Sequence, residues 1–466
     1  MQKSKIKVGQ KIQVATQAGV NHMGINGEAI AFYQKKLVFV KGALPQERII
    51  ATITDVYNHY LRADVNKVIR KNPERVKPID SYANHVGGFE LENMAYPMQL
   101  KFKRAMFKQA LSKYRPLGYK EYEVRKTIGM DHPYGYRNKA QFQIRADHGK
   151  VMAGLYQVRS HKLIDLKTCS VQYPKTIEVM RKIVAIVQDL KLPVYDEKHN
   201  SGILKTVVVR AALNTDDVQV VFITNTDKMV KKHQLLDAIK QQMPEVTSVM
   251  QNVNPGRTSL IWGETTTKLS GQSSINEKIG DTTFKLSARA FLQLNSYMMP
   301  KLYELADRAL DLDHNRHLVD AYSGVGTIGL PLAKRVDEVR GMDTISDAVN
   351  DANENASINK IKNAHYEVGK AETLLPQWVN EGWQPDALIV DPPRTGLANS
   401  LIETIMKVQP TNFVYVSCNP ATLARDLVAL VQKYRIHYIQ PIDMMPQTAR
   451  CEAVVKFSLR KSNNRK

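Results

Sequence analysis

Cysteine is scarce in this chain, and its scarcity excludes several kinds of protein. The 466 residues include three cysteines, Cys169, Cys418 and Cys451, spaced far apart. Dispersed thiols form neither the disulfide framework of a small secreted domain nor the paired spacing of a zinc site, so we expect no bound metal. The cysteine content therefore favours a reducing, cytoplasmic setting.

Long apolar runs are also missing, which argues against a membrane protein. No stretch approaches the roughly 20 apolar residues that span a bilayer. Residues 1–5 are basic but no apolar segment follows them, so no secretory signal is expected. Because 466 residues are too many for one ordinary core, we expect two or three domains. We also expect the protein to be a monomer.

Acidic residues are few compared with basic ones. The chain has 45 acidic side chains against 66 lysines and arginines, a net charge of +21, which favours nucleic acid as a partner. Residues 456–466 are basic and contain no acid. A second basic stretch, residues 101–120, has aromatic residues among its charges, as stacking on unpaired bases requires. The helical spacing of Phe102, Met106 and Phe107, however, predicts core positions for these three residues. Residues 101–120 also contain no acid, and their basic residues are Lys101, Lys103, Arg104, Lys108, Lys113, Arg115 and Lys120.

Three regions follow one another along the chain. Residues 1–66 contain short strands between glycine and proline turns, typical of a small β-barrel, which either holds oligonucleotides or serves as a structural appendage. Residues 67–285 begin with a linker at 71–88 and continue as a mixed α+β domain. In residues 286–466 strands alternate with helices, which predicts a doubly wound parallel sheet. In the middle region, Arg137, Asn138 and Lys139 suit phosphate or base binding, but a solvated strand face is the commoner reason for such residues.

A glycine loop ends the first strand of the third region. Gly324, Gly326 and Gly329 follow Asp320 in the spacing of a dinucleotide fingerprint. The next strand ends at Asp343, whose carboxylate can accept hydrogen bonds from the two hydroxyls of a ribose. Alone, the pattern fits NAD, a nucleotide methyl donor or an ordinary strand-to-helix turn.

A second strand ends at Asp391, before Pro392 and Pro393. The prolines fix the backbone and remove N–H donors, which makes a rigid turn. A carboxylate held there can receive the N–H groups of a flat ring, which favours a methyltransferase over a dehydrogenase.

A third strand ends at Cys418. Taken singly, a buried structural cysteine is the commoner case, but a thiol at a strand end beside the other two motifs suits a nucleophile. Glu452, at the start of the last strand, suits a general base or an ordinary surface position. Cys451 is expected to be structural, and Gln293 and Asn295 precede the sheet where they could cover a cofactor.

These motifs together resemble the RNA 5-methyluridine methyltransferase family, and most of all its members that modify 23S ribosomal RNA. The resemblance extends over the whole chain, with residues 1–66 similar to a TRAM domain and residues 286–466 to an S-adenosylmethionine-dependent methyltransferase domain. The stretches that carry it are Phe291-Leu292-Gln293-Leu294-Asn295, Asp320-Ala321-Tyr322-Ser323-Gly324-Val325-Gly326-Thr327, Asp391-Pro392-Pro393-Arg394, Ser417-Cys418-Asn419-Pro420-Ala421-Thr422-Leu423-Ala424-Arg425-Asp426, and Glu452.

The resemblance implies a role for each candidate residue. Cys418 is the nucleophile that adds to C6 of uracil and so activates C5, and Glu452 is the base that removes the C5 proton. The target uridine leaves its stack or is already unpaired. S-adenosylmethionine is implied as the cofactor, held by Gln293, Tyr322, Asp343 and Asp391.

One departure from the family concerns metal binding. Several relatives hold an iron–sulfur cluster with three cysteines near a Cys-Gly-Gly-Cys motif and a fourth downstream. Here the corresponding stretch is His85-Val86-Gly87-Gly88-Phe89, and Cys169 resembles the fourth ligand left alone. Because a cluster needs thiolates, no iron–sulfur cluster is expected.

Four alternatives stay open at this point. The same chemistry on a transfer RNA uridine is one. Methylation of an adenine amino group is the second, although Arg394 stands where those enzymes usually carry an aromatic residue. A non-catalytic RNA-binding protein is the third, and an NAD enzyme, supported by the glycine loop alone, is the fourth.

Overall fold

The structure is a computed structural model that describes residues 6–83, 85–312 and 316–460. The basic start at 1–5, residue 84 of the predicted linker and residues 461–466 of the basic tail lie outside these ranges. The chain forms two compact units. The first unit comprises Met1–Pro133, Cys418–Val428 and Tyr438–Ala453, and the second comprises Tyr134–Ser417, Ala429–His437 and Val454–Lys466.

The first unit begins with a five-stranded β-sheet in the order β1-β4-β5-β3-β2. Alternate residues of its strands, such as Ile12, Val14 and Ile49, are buried in one core, as expected of a small barrel. The fifth strand was not predicted, because half of its length is polar and exposed. The strands are β1 (Lys11–Ala15), β2 (Ala29–Tyr33), β3 (Lys36–Lys41), β4 (Arg48–Val56) and β5 (Tyr60–Arg70).

The start of the predicted linker at 71–88 is bonded to the barrel through Asn72 and Arg75, so this part does not behave as a free linker. Arg75 Nε lies 2.5 Å from Glu47 Oε1. Asn72 Nδ2 donates to the carbonyl of Pro45 at 2.8 Å. Because a buried carboxylate needs a partner, the ion pair attaches this segment to the sheet.

The basic stretch at 101–120 lies largely on the predicted helix, α1 (Tyr96–Tyr114). Phe102 and Phe107 are buried, as their helical spacing predicted. Lys103 is buried as well, so this lysine does not belong to a solvent-facing basic surface. A cation in the core requires an acidic partner, described below.

The second unit contains a seven-stranded mixed sheet in the order β12-β11-β10-β9-β6-β7-β8. Two of its strands, β9 and β10, form a hairpin and pair antiparallel from Leu204 to Thr224. A separate two-stranded hairpin follows this sheet. The elements are β6 (Lys139–Asp147), β7 (Lys150–Tyr156), β8 (Leu163–Asp165), α2 (Pro174–Asp189), β9 (Leu204–Ala211), β10 (Val218–Thr224), α3 (Lys232–Gln242), β11 (Val246–Val253), β12 (Thr265–Gly271), β13 (Ser274–Ile279) and β14 (Thr282–Ser287).

The last sheet is doubly wound, in the order β17-β16-β15-β18-β19-β21-β20. The first five strands in this order, β17, β16, β15, β18 and β19, pair parallel. All four residues of β18 are buried, as a sheet covered on both faces requires. The strand order changes direction between β15 and β18, where such sheets bind ligands. The elements are α4 (Met299–Leu310), β15 (His317–Ala321), α5 (Gly329–Leu332), β16 (Glu338–Asp343), α6 (Ser346–Ile358), β17 (Ala364–Val368), α7 (Ala371–Asn380), β18 (Ala387–Val390), α8 (Asn399–Val408), β19 (Asn412–Ser417), α9 (Pro420–Leu430), β20 (Tyr434–Ile442) and β21 (Glu452–Leu459).

The predicted fold class of barrel, α+β region and doubly wound sheet is confirmed. The domain boundaries at 66 and 285 remain predictions. Within the described ranges no helix combines the length and apolar character needed to cross a bilayer.

Candidate active site

The glycine loop of the second unit forms a concave backbone turn after β15. Tyr322 has a φ of +63°, and Gly324 and Gly326 have φ of +53° and +83°. A Cβ at Gly324 would meet open space, so the glycine serves the backbone conformation and leaves room beside the loop. At Gly326 a Cβ would come within 2.9 Å of Leu330, so close packing also requires glycine there.

Asp343 holds this loop in place. Its Oδ2 accepts a hydrogen bond from the N–H of Gly324 at 3.1 Å, and its Oδ1 accepts one from the N–H of Ile345 at 2.9 Å. Each oxygen keeps a further lone pair. The carboxylate is thereby fixed and still able to accept the two hydroxyls of a ribose.

Asp391 and Gln293 meet on the neighbouring strand. Asp391 directly follows β18, whose last residue pairs with Ala321 of β15. Gln293 Nε2 donates to Asp391 Oδ2 at 3.5 Å. Burial raises the pKa of Asp391 from its ordinary 3.8 to about 7, and the Gln293 amide partly opposes that rise. The structure therefore brings together the four residues predicted to hold the cofactor, since Tyr322 follows Ala321 directly.

Asp320 has no predicted role, although it stands first in the glycine-loop motif. Its Oδ2 accepts the N–H of Gly329 at 2.9 Å. Burial, together with the charges of Asp391 and Asp343, raises its pKa from 3.8 to about 7. Three carboxylates thus share one small region at the ends of β15, β16 and β18.

Asn138 positions the segment that carries Gln293. Its Nδ2 donates to the carbonyl of Gln293 and to Ser296 Oγ, each at 2.9 Å, and its side chain is buried. The sequence suggested that Asn138 lies on a solvated strand face, and this interpretation is wrong. The burial has a long-range cause, because the acceptors lie about 155 residues away and no local pattern indicates them.

Cys418 and Glu452 belong to the first unit. Cys418 follows the last residue of β19, and the helix α9 begins at Pro420. Asn419 Oδ1 accepts the N–H of Ala421 at 3.0 Å, the contact of a helix N-cap. Helix N-termini favour a nearby anion, so the turn suits a thiolate.

Cys451 directly precedes Glu452 in the chain. Its thiol is buried and donates to the carbonyl of Lys103 at 3.7 Å. Burial raises the pKa of Cys451, and the charges of Asp443, Glu452 and Cys418 raise it further. The Cys451 thiol therefore stays protonated, as expected of a structural cysteine.

The loop that leads to Glu452 is held by α1. Gln99 Nε2 donates to Gln447 Oε1 at 2.8 Å, and the N–H of Gln447 donates to Gln99 Oε1 at 3.0 Å. Gln447 has a φ of +68°, a conformation that non-glycine residues adopt only under strong restraint. The reciprocal amide pair supplies that restraint.

A cofactor with a ribose and a flat ring fits the second-unit residues. The hydroxyl of Ser323, in the glycine loop, is buried and has no hydrogen-bond partner within the described part of the chain. A buried polar atom of this kind usually has a ligand or water as its partner. Asp343 and Asp391 add acceptors suited to hydroxyls and ring N–H groups.

Comparison with known proteins identifies the class. A family model described as tRNA (Uracil-5-)-methyltransferase matches residues 95–460, and a TRAM-domain model matches residues 7–65. The chain belongs to this family of RNA (uracil-C5)-methyltransferases. S-adenosylmethionine-dependent methylation of RNA at uracil C5 is the activity of this class, which sets aside the adenine, NAD and non-catalytic alternatives.

Individual relatives extend over nearly the whole methyltransferase. It is 57% identical to an uncharacterized RNA methyltransferase of Lactiplantibacillus plantarum, over 98% of this chain and 94% of the relative. Identity to one from Enterococcus faecalis is 49%, over 98% and 100% of the two chains. The tRNA (uracil-54, C5)-methyltransferase of Pyrococcus abyssi, solved in complex with S-adenosyl-L-homocysteine, is similar with a TM-score of 0.76 and 27% identity, over 95% of this chain and 99% of that one.

Proposed function

We propose that this chain transfers a methyl group from S-adenosylmethionine to C5 of a uridine in 23S ribosomal RNA. Cys418 acts as the nucleophile and Glu452 as the base. We further propose that the protein works as a monomer in the cytoplasm. The observations that support the catalytic pair are that Cys418 lies between the end of β19 and the N-terminus of α9, and that Glu452 begins β21 with a buried side chain.

The pair answers a chemical difficulty of the reaction. C5 of uracil is a poor nucleophile. Addition of the Cys418 thiolate to C6 forms a C–S bond and moves the C5–C6 π electrons to C5 and O4 as an enolate. S-adenosylmethionine supplies an electrophilic methyl group when bound.

Glu452 completes the cycle. After C5 has gained its methyl group it carries both the methyl group and a proton. The Glu452 carboxylate takes that proton, the C5–H electrons restore the C5–C6 double bond, and the Cys418 thiolate leaves. Glu452 is buried, which keeps water from competing for the base.

The cofactor residues divide their work. Asp343 is positioned by two backbone N–H groups and binds the ribose hydroxyls. Asp391, partly neutral near pH 7, binds the N–H groups of the flat ring. Gln293 and Tyr322 enclose the ligand from the loop and from the segment that Asn138 anchors.

The absence of a cluster remains a prediction, with one supporting observation. Val86 and Phe89 flank the two glycines at the positions of the family's Cys-Gly-Gly-Cys motif. Both side chains are buried, and the Phe89 ring packs edge-on against the ring of Tyr82. Apolar packing can stabilise this segment without a metal. Iron analysis of anaerobically purified protein should find no stoichiometric iron, and four irons per chain would reject the prediction.

The choice of RNA is tested in cells. The N-terminal barrel favours ribosomal RNA, whereas the name of the Pyrococcus abyssi relative favours a transfer RNA uridine as the second candidate. Mass-spectrometric mapping should find 5-methyluridine missing from 23S ribosomal RNA when the gene is deleted, and restored by the wild type but not by Cys418→Ala. Loss confined to transfer RNA would reassign the substrate.

A further inference from the structure

A second cavity lies in the mixed sheet of the second unit. It has a volume of about 570 Å³ and opens between the ends of β6 and β7 and the segment 194–198. Arg145, Tyr156, His161, Tyr195 and Lys198 line it. Its volume falls in the ~300–1,000 Å³ range of small-ligand sites.

Cations and aromatic rings alternate along one side of this cavity. The Arg145 guanidinium lies 5.6 Å from the ring centroid of Tyr156 and 5.3 Å from that of Tyr195. Lys205, which does not line the cavity, places its Nζ 4.7 Å from the Tyr195 centroid. Tyr195 is buried and serves as the floor, while Tyr156 is half-exposed and His161 exposed. Alternating rings and cations are the pattern of sites that stack unpaired bases.

Arg145 is incompletely satisfied by the protein. Its Nη1 donates to the carbonyls of Ile144 and Lys205, but its buried Nε has no hydrogen-bond partner within the described residues. Glu197 Oε2 forms an ion pair with Arg145 Nη2 at 3.8 Å and accepts a hydrogen bond from Tyr156 OH at 3.0 Å. Asp196 is likewise engaged, by His199 Nδ1 at 2.6 Å. Glu197 and Asp196 are each engaged by a neighbouring side chain, and Arg145 and Lys198 are the cations of the lining that an anionic ligand would meet.

The strand β6 connects this cavity to Asn138, which holds the segment that carries Gln293. Asn138 directly precedes β6 and binds the Gln293 carbonyl, and Arg145 lies seven residues further along. At ~3.4 Å per residue of antiparallel strand, the two points are roughly 24 Å apart. A single RNA strand spans that distance within a few nucleotides.

We propose that this cavity binds an unpaired nucleotide of the substrate RNA, a few positions from the target uridine. The base stacks on the Tyr156 ring beside His161, and the phosphate accepts hydrogen bonds from Arg145 and Lys198. The distance to the target rests on the proposed function, whereas the binding of single-stranded RNA does not. The cavity thereby adds a contact outside the catalytic machinery that selects RNA with an unstacked base.

Equilibrium binding tests this site with the full chain. The probe is a fluorescein-labelled single-stranded RNA of about twelve nucleotides, within the range of single-strand site sizes, followed by anisotropy without cofactor. Tyr156→Leu should weaken binding about tenfold, because one base loses its stacking partner. Tyr156→Phe keeps the ring and should stay within about twofold of the wild type.

Two histidines provide a matched pair. His161→Ala removes an exposed lining residue and should weaken binding several-fold, whereas His233→Ala removes an exposed imidazole of α3 that lies outside the cavity and should change nothing. His161→Ala also carries the test if Tyr156→Leu does not fold. Wild-type affinity in both lining variants would overturn the proposal.

Separate readouts distinguish this proposal from the proposed function. Calorimetry with S-adenosylmethionine should give wild-type affinity for every variant, and methyl transfer is assayed on 23S ribosomal RNA. Weakened RNA binding in a protein that methylates no uridine would support the cavity and overturn the function. Unchanged RNA binding in an active enzyme would overturn the cavity alone.

Discussion

Lys103 Nζ lies 2.5 Å from Asp443 Oδ1, and neither side chain is exposed to solvent. Lys103 Nζ also donates to the carbonyl of Met445 at 2.9 Å, and Asp443 Oδ1 accepts the N–H of Met445 at 3.1 Å. The pair therefore fixes the start of the loop that leads to Glu452. A lysine of the predicted basic stretch turns out to organise the region of the proposed catalytic base.

Removing the cation should strongly destabilise the protein. In Lys103→Met, Asp443 would remain buried without its partner, and burial already raises its pKa. We expect the free energy of unfolding of the first unit to fall by about 3–5 kcal/mol, measured by denaturant titration. The exposed Lys101→Met on the same helix is the control and should change it by less than about 0.5 kcal/mol.

A double variant separates charge from shape. Lys103→Met with Asp443→Leu removes both charges and should recover most of the lost stability, because an apolar pair can replace a buried ion pair. Methyl transfer should stay low in that variant, since the loop loses its contacts to Met445. Stability as low as in the single variant would contradict this account of the pair.

Asp320 should make stability depend on pH. Its pKa is about 7 in the folded protein and near 3.8 when unfolded, so the folded state binds the proton more tightly. The resulting stabilisation is complete below the unfolded pKa and is lost as the pH rises through about 7. As the pH rises from 5 to 8, the free energy of unfolding of the wild type should therefore fall by about 2–3 kcal/mol more than that of Asp320→Asn.

The matched control for that titration is Asp237→Asn, at an exposed position of α3. Its stability should follow the wild-type pH curve. The account of Asp320 fails if both variants follow the same curve as the wild type in urea unfolding at each pH.

Asp391 should make cofactor binding depend on pH. The pKa of Asp391 is about 7, and its ionised form is the better acceptor for ring N–H groups. Affinity for S-adenosylmethionine should fall nearly tenfold per pH unit below about 7 and level off above it. Asp391→Asn should bind more weakly with a flat profile between pH 6 and pH 8, as calorimetry can measure. A flat wild-type profile would rule out this role.

Local pattern was sufficient for the doubly wound sheet. The alternation of strands and helices predicted for residues 286–466 is confirmed, because a buried parallel strand such as β18 is a continuous apolar run between turns. The helical spacing of Phe102, Met106 and Phe107 likewise predicted their buried positions on α1. In each case the signal lies within a few residues.

Local sequence patterns did not predict the contacts between segments that are distant in the chain. Lys103 carries the same charge as its exposed neighbours, and its acid lies 340 residues further along. Asn138 looks like a strand-face residue until its partner at Gln293 is known. The grouping of Cys418–Val428 and Tyr438–Ala453 with Met1–Pro133 likewise depends on tertiary packing. Such residues reveal their roles only in the folded chain.

Trapping the covalent intermediate tests the central claim, that Cys418 attacks the uracil and Glu452 releases it. Unmodified 23S ribosomal RNA is incubated with S-adenosylmethionine and Glu452→Gln, then analysed on a denaturing gel and by peptide mapping. We expect a protein–RNA adduct at Cys418 that survives detergent, persists when Cys169 is changed to Ser, and disappears when Cys418 is changed to Ala. An adduct that maps to another residue, or that forms without the Cys418 thiol, would contradict the account.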